Sequence, residues 1–112
     1  MKSYQDLREE KIFVNNLNDA SYGIYIGRGS ILGNPFKIKR DGDRNEVIDK
    51  YRSWLWTEIG KHGRVWDELI RIFRIWEQCG HVSLACYCFP KACHGQVIGS
   101  ALVWMRDVNS VF

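Results

Sequence analysis

The segment Cys86-Tyr87-Cys88-Phe89-Pro90-Lys91-Ala92-Cys93-His94 gathers three thiols and an imidazole into nine positions. Thiolate sulfur and imidazole nitrogen are the donors that tetrahedral zinc prefers, at about 2.3 Å and about 2.0 Å. If Cys86 and Cys88 lie on a strand, their side chains share one face, and a turn at Pro90 returns Cys93 and His94 to it. Adjacent residues of a regular helix diverge by about 100°, so Cys93 and His94 share an ion only at an irregular helix start. Cys79 is a replacement ligand. The same residues allow a second chemistry. Cys93 at a helix N-terminus feels the positive end of the helix dipole, which favours the reactive thiolate. His94 is a poor base for it, because neighbours at i and i+1 do not face each other. A third reading buries the cysteines as small hydrophobes. The spacing leaves metal site, reactive thiol and core packing open.

A second set of residues suits an anion. Tyr25-Ile26-Gly27-Arg28-Gly29-Ser30 leaves an extended run through two glycines. Such a loop can aim backbone N–H groups at a phosphate or carboxylate, and an arginine can grip it bidentately. Arg28, Gly29 and Ser30 are therefore candidate ligand-binding residues, with Arg44, placed just before a helix, as a second cation. The glycine spacing is not that of the dinucleotide fingerprint, and the lysine and hydroxyl residue of a P-loop are absent. The competing reading is a tight turn carrying a solvated arginine.

These residues need elements to position them. Lys11–Asn15 and Gly23–Gly27 have the β-branched and aromatic content of strands, separated by turn formers at Asn15–Asp19. Gly33-Asn34-Pro35 makes a rigid loop, since proline holds Asn34 extended and removes a donor. Asp41-Gly42-Asp43 marks a turn and an N-cap. From Asn45, the residues Val47, Ile48, Tyr51, Trp54, Leu55 and Ile59 recur at helical spacing, and Gly60 and Gly63 punctuate the end. Trp66, Leu69, Ile70, Phe73 and Trp76 predict a second helix over about 65–79, widened by Ile72 and Ile75 and closed by Gly80. His81–Cys88 reads as a strand buried on both faces. A last helix from Ala92 or Cys93 carries Val97, Ile98, Ala101, Leu102 and Met105 inward, with Gly95 and Gly99 permitting close approach. Asn109–Phe112 reads as a frayed tail. The order β-β-loop-α-α-β-α predicts an α/β fold, a single compact domain over 1–112 with its core at about 11–106 and a small sheet packed by about three helices.

Composition bounds the function. The 112 residues hold one core, and 46% hydrophobic with 26% charged content excludes a disordered tail. The longest apolar stretch, Val82–Phe89 with Ser83 inside it, is too short to span a bilayer. The amino end Met1–Asp6 lacks the apolar core of a secretory signal, so a cytoplasmic protein is expected. Four cysteines within fifteen positions of such a chain favour metal or thiol chemistry over structural disulfides. The net charge of +3 is interleaved, and its densest cluster, Lys37–Arg40, is too narrow to track an extended nucleic acid. Trp54, Trp66 and Trp76 sit at core-facing positions, whereas Trp56 or Trp104, if exposed, marks a homodimer contact.

Taken together, Tyr25–Ser30, Gly33-Asn34-Pro35-Phe36, Arg44 before a helix containing Tyr51, and Leu84–Cys88 with Pro90 and Cys93-His94-Gly95 resemble a family of small phage and bacterial proteins described as domain of unknown function 4326. The resemblance covers about Phe13 to Leu102. It implies one small α/β domain, phage-encoded in many members, with Arg28, Gly33, Asn34, Pro35, Arg44, Cys86, Cys88, Cys93 and His94 as signature residues. The family name transfers no activity, but it makes the two polar sets parts of one pattern. A shared Cys/His site, with zinc on Cys86, Cys88, Cys93 and His94, is expected beside the arginine loop, taking a small anionic ligand such as a nucleotide or nucleobase derivative. Whether it catalyses is open, and no Asp or Glu adjoins the cysteines as the proton shuttle of a hydrolytic deaminase. The alternative is a structural or protein-interaction module with buried cysteines and a tryptophan-rich docking surface.

Overall fold

Strand formers at each end of the chain meet in one parallel sheet. The computed structural model describes residues 2–17 and 23–108. The elements are α1 (Tyr4–Glu9), β1 (Ile12–Asn16), β2 (Ile24–Tyr25), α2 (Arg44–Lys61), α3 (Arg64–Cys79), β3 (Val82–Cys86) and α4 (His94–Val108). The sheet order is β1-β3-β2, with Ile12 opposite Val82, Asn16 opposite Cys86 and Tyr25 opposite Ala85. All three strands run the same way, so their carboxyl ends share one edge of the sheet. In open parallel sheets that edge is where ligands bind.

The apolar periodicities form the core. Tyr51, Leu55, Leu69, Ile72, Leu84, Ile98 and Leu102 are fully buried in one contiguous cluster. Trp66 and Trp76 are buried as expected, and Trp54 is half-buried against the same cluster. The α/β architecture is the expected one, but several details differ. The helix α1 precedes the first strand and is capped by Ser3 and Asp6, each side chain bonding the other's backbone N–H. Its single turn and a half is too short for apolar periodicity to announce. The α2 helix passes through Gly60 and stops at His62, which takes the left-handed conformation at φ 52°. Ordinary helical φ/ψ is open to glycine, so Gly60 does not break the helix. Gly80 closes α3 at φ 80°, as expected. The third strand ends at Cys86, so Cys88 lies in the following turn rather than on the strand. The reading of 109–112 as a frayed tail, and part of the turn expected at Asn15–Asp19, lie outside the described residues.

Close approach explains the two glycines of α4. A Cβ at Gly95 would sit 3.1 Å from Val14 and 3.2 Å from Ile26, so this turn rests directly on the sheet. A Cβ at Gly99 would sit 2.6 Å from Leu7, the fully buried residue of α1. The helix thus holds the sheet on one turn and α1 on the next.

Candidate functional site

A cleft of about 350 Å³ opens at the carboxyl edge of the sheet. The chain reaches it from four places: the loop after β2, the start of α2, the loop after β3 and the start of α4. Its lining includes Arg28, Asn34, Arg44, Cys86, Cys88, Cys93 and His94. Both polar sets singled out in the sequence therefore face one hollow. Gly29 and Ser30 do not. They line a separate depression with Ile31, Trp54, Lys61 and Arg64.

The glycine loop is held by its own bonds. Ser30 donates its N–H and its hydroxyl to the Gly27 carbonyl, at 3.1 and 2.6 Å. Gly29 supplies the positive φ (87°) that this tight turn demands. Gly33 N–H donates to the Ser30 carbonyl, and a Cβ at Gly33 would come within 2.5 Å of Gly27 O. The Ser30 amide, one of those expected to face an anion, is thus spent inside the loop. What the loop offers the cleft is the exposed Arg28 side chain, steadied by the Tyr25 hydroxyl, which donates to the Arg28 carbonyl at 2.9 Å. Asn34 closes a turn of its own by accepting the Phe36 N–H at 2.9 Å.

Arg44 is the first residue of α2. Its guanidinium donates to the Ala92 carbonyl at 3.0 Å, tying α2 to the loop before α4. Among the described residues no carboxylate pairs with Arg28 or Arg44. Two cations thus face one cleft with no carboxylate among the described residues to neutralise them.

The thiols form the floor. Cys86 Sγ and Cys93 Sγ are 3.4 Å apart, and both residues are buried. A hydrogen bond from the Cys93 thiol, assisted by the backbone N–H groups of Phe89 and Cys88 and opposed by burial, brings the Cys86 thiol from 9.0 down to about 6. The same hydrogen bond and burial push the Cys93 thiol upward. The two shifts run in opposite directions, so Cys86 is the thiol of the pair that gives up its proton more readily. Cys93 also caps α4: its sulfur accepts the Gly95 N–H at 3.3 Å, while Gln96 Oε1 accepts the Cys93 N–H at 3.2 Å. The Tyr4 hydroxyl lies 2.6 Å from the Lys91 carbonyl and 3.2 Å from Cys93 Sγ, sharing its one proton between them. Burial, then the contact with Cys93, raises the Tyr4 pKa and keeps this hydroxyl protonated.

His94 faces elsewhere. Its Nε2 donates to the Ile26 carbonyl, and its ring packs edge-on against Tyr51 at 5.0 Å. Since a carbonyl only accepts, Nε2 carries the proton. Burial, against the pull of that bond, lowers the His94 pKa and keeps the ring neutral. The four-ligand set expected for zinc is therefore divided. Two sulfurs touch, the imidazole Nε2 is spent on the backbone, and among the described residues no three His, Cys, Asp or Glu side chains are grouped to hold a metal. This arrangement does not fit tetrahedral zinc.

Several site residues are not among the ligand-binding or metal candidates read from the sequence. Tyr25, Phe36, Ile38 and Tyr87 form the rim, with the Tyr25 and Tyr87 rings edge-to-face at 6.4 Å. Tyr87 is 58% exposed and Ile38 44%, far more than core packing would leave. Asn16 donates to the carbonyls of Tyr87 and Phe89, at 3.1 and 2.7 Å, and fixes the loop that carries the thiols. Tyr4 was signalled only by the Ser3-x-x-Asp6 capping pattern, which announces α1.

The profile of a family described as domain of unknown function 4326 matches residues 13–104. No curated protein and no solved structure matches the chain. Among the described residues no helix is long and apolar enough to cross a membrane.

Proposed function

The chain belongs to the family described as domain of unknown function 4326, and from that premise we propose that it is a small-ligand domain whose cleft takes an anionic, nucleotide-like molecule. One observation carries this reading. Arg28 and Arg44, unpaired with any described carboxylate, share a cleft of about 350 Å³ with an exposed aromatic rim. A volume near the lower end of ligand sites suits one nucleotide rather than a polymer. The rings of Tyr25, Phe36 and Tyr87 offer flat apolar surface to a base, and the guanidinium groups offer charge-assisted hydrogen bonds to a phosphate. The N-termini of α2 and α4 add positive potential at the same edge. The four free cysteines suit a reducing, cytoplasmic setting.

A thermal-shift screen of nucleoside mono-, di- and triphosphates beside their parent nucleosides tests the proposal on wild type and Arg28→Ala. A midpoint rise with a phosphorylated compound, lost in Arg28→Ala, supports it. No shift with any of them overturns it and favours the docking alternative, in which Trp56, 39% exposed and edge-on to Trp104, meets a partner protein.

A further inference from the structure

We propose that Cys86 and Cys93 are a redox-active dithiol that reduces small carboxylate-bearing disulfides entering the cleft, with Cys86 attacking and Cys93 resolving. This goes beyond nucleotide capture, and the two stand or fall separately.

The geometry is that of a pair rather than of isolated thiols. The sulfurs are 3.4 Å apart, about 1.4 Å more than a disulfide bond. They come from different elements, the end of β3 and the cap of α4. The loop between them is anchored by Asn16 and by the Lys91 N–H, which donates to the Cys88 carbonyl at 2.8 Å. Both side chains are almost sealed from bulk solvent, yet both line the cleft. The cleft is therefore the route by which a reactant meets them.

The donors assign the roles. Cys86 sulfur receives backbone N–H groups and the Cys93 thiol, so it is the anion and the nucleophile. Cys93 holds the proton. The Cys86 thiolate attacks one sulfur of the incoming disulfide, the S–S bond breaks, and the departing thiolate takes the proton of Cys93. The Cys93 thiolate then attacks Cys86 Sγ in the mixed disulfide and expels the second thiolate, which takes a proton from solvent. The protein pair loses two electrons and the small disulfide gains them. Arg28 and Arg44 offer counter-charge to carboxylates on the reactant.

Glutathione disulfide is the probe. After incubation with wild type and an acid quench, non-reducing peptide mapping is expected to show a Cys86–Cys93 bond and two released glutathione molecules. Cys93→Ser is expected to retain one glutathione on Cys86, and Cys86→Ser none on Cys93. The Cys79→Ser background removes the exposed thiol that would react through accessibility alone. A wild-type pair that stays reduced while Cys79 or Cys88 reacts overturns the proposal, as does a bond from Cys86 to Cys88. The wild-type mapping is decisive even if a serine variant fails to fold.

Discussion

His94 Nε2 donates to the carbonyl of Ile26, the residue immediately before Gly27-Arg28. This bond joins the first turn of α4 to the end of β2, and so joins the cysteine segment to the arginine loop. Ile26 is in turn held by its own N–H, which donates to the Ala85 carbonyl one residue before Cys86. Sheet, loop and helix start are thus coupled through one buried peptide. The histidine acts as a strut between the two polar sets.

Replacing His94 with Phe keeps a buried ring but leaves the Ile26 carbonyl without its donor. A buried acceptor stripped of its partner costs about 1–3 kcal/mol. Chemical denaturation of His94→Phe is expected to show a loss of that size, and ligand affinity is expected to fall with it. An unchanged denaturation midpoint would mean that the bond does not position the loop.

The two arginines are expected to separate by their roles. Arg28 is exposed, so Arg28→Ala should leave the unliganded melting temperature near wild type. Arg44 also holds the Ala92 carbonyl, so Arg44→Ala should lower it. Each hydrogen bond to a charged group is worth about 1.5–3 kcal/mol, which weakens binding of a phosphorylated ligand by about 10- to 100-fold. Titration calorimetry reads this loss directly, and equal losses for a parent nucleoside would show that neither guanidinium meets the phosphate.

Helix spacing in the sequence was enough to place α2, α3 and α4, because each buries a broad face rich in Val, Ile and Leu. The strands were visible from β-branched content, yet their ends were not. Backbone pairing stops where the partner strand stops, and Cys86 lies opposite Asn16 at the last rung. That boundary moves Cys88 off the strand, which period-two reasoning could not see. The convergence of Arg28, Arg44 and the thiols was legible only as a joint pattern, since it depends on a parallel sheet bringing distant carboxyl ends together. The rim was illegible: Tyr25 and Tyr87 look like ordinary strand aromatics until the structure leaves them exposed.

Two glycines in the arginine loop make unequal demands. At Gly33, a methyl group would meet the Gly27 carbonyl at 2.5 Å, and that backbone atom cannot step aside cheaply. Gly33→Ala is expected to cost about 1–3 kcal/mol, as overpacking does. At Gly29 the space is open, so Gly29→Ala pays only for its positive φ, about 1 kcal/mol. Thermal unfolding of the two variants should therefore rank Gly33→Ala as the more damaging.

Burial of Leu7 against Gly99 makes α1 part of the core. Leu7→Ala is expected to destabilise the fold by about 2–5 kcal/mol. Because α1 also carries Tyr4 to Cys93, the same variant should speed alkylation of the thiol pair. Normal stability in Leu7→Ala would detach α1 from the core.

Acid is expected to destabilise the protein through two groups. Cys86 titrates near 6 in the folded state against an ordinary 9.0. Between those values the unfolded chain holds a proton that the folded chain does not, so stability rises with pH across this window. The lowered pKa of His94 acts in the same sense: its contribution is complete above the ordinary 6.5 and declines as pH falls below it. Cys93 acts oppositely, because its raised pKa keeps a proton in the folded state that the unfolded thiol releases above 9.0. Stability should therefore climb from about pH 6, peak near pH 9 and fall beyond it. Denaturation midpoints measured across this range test the profile, and Cys86→Ser should flatten the rising limb between 6 and 9 while leaving the His94 contribution below it. A wild-type midpoint that does not rise over that window would mean that Cys86 is an ordinary protonated thiol.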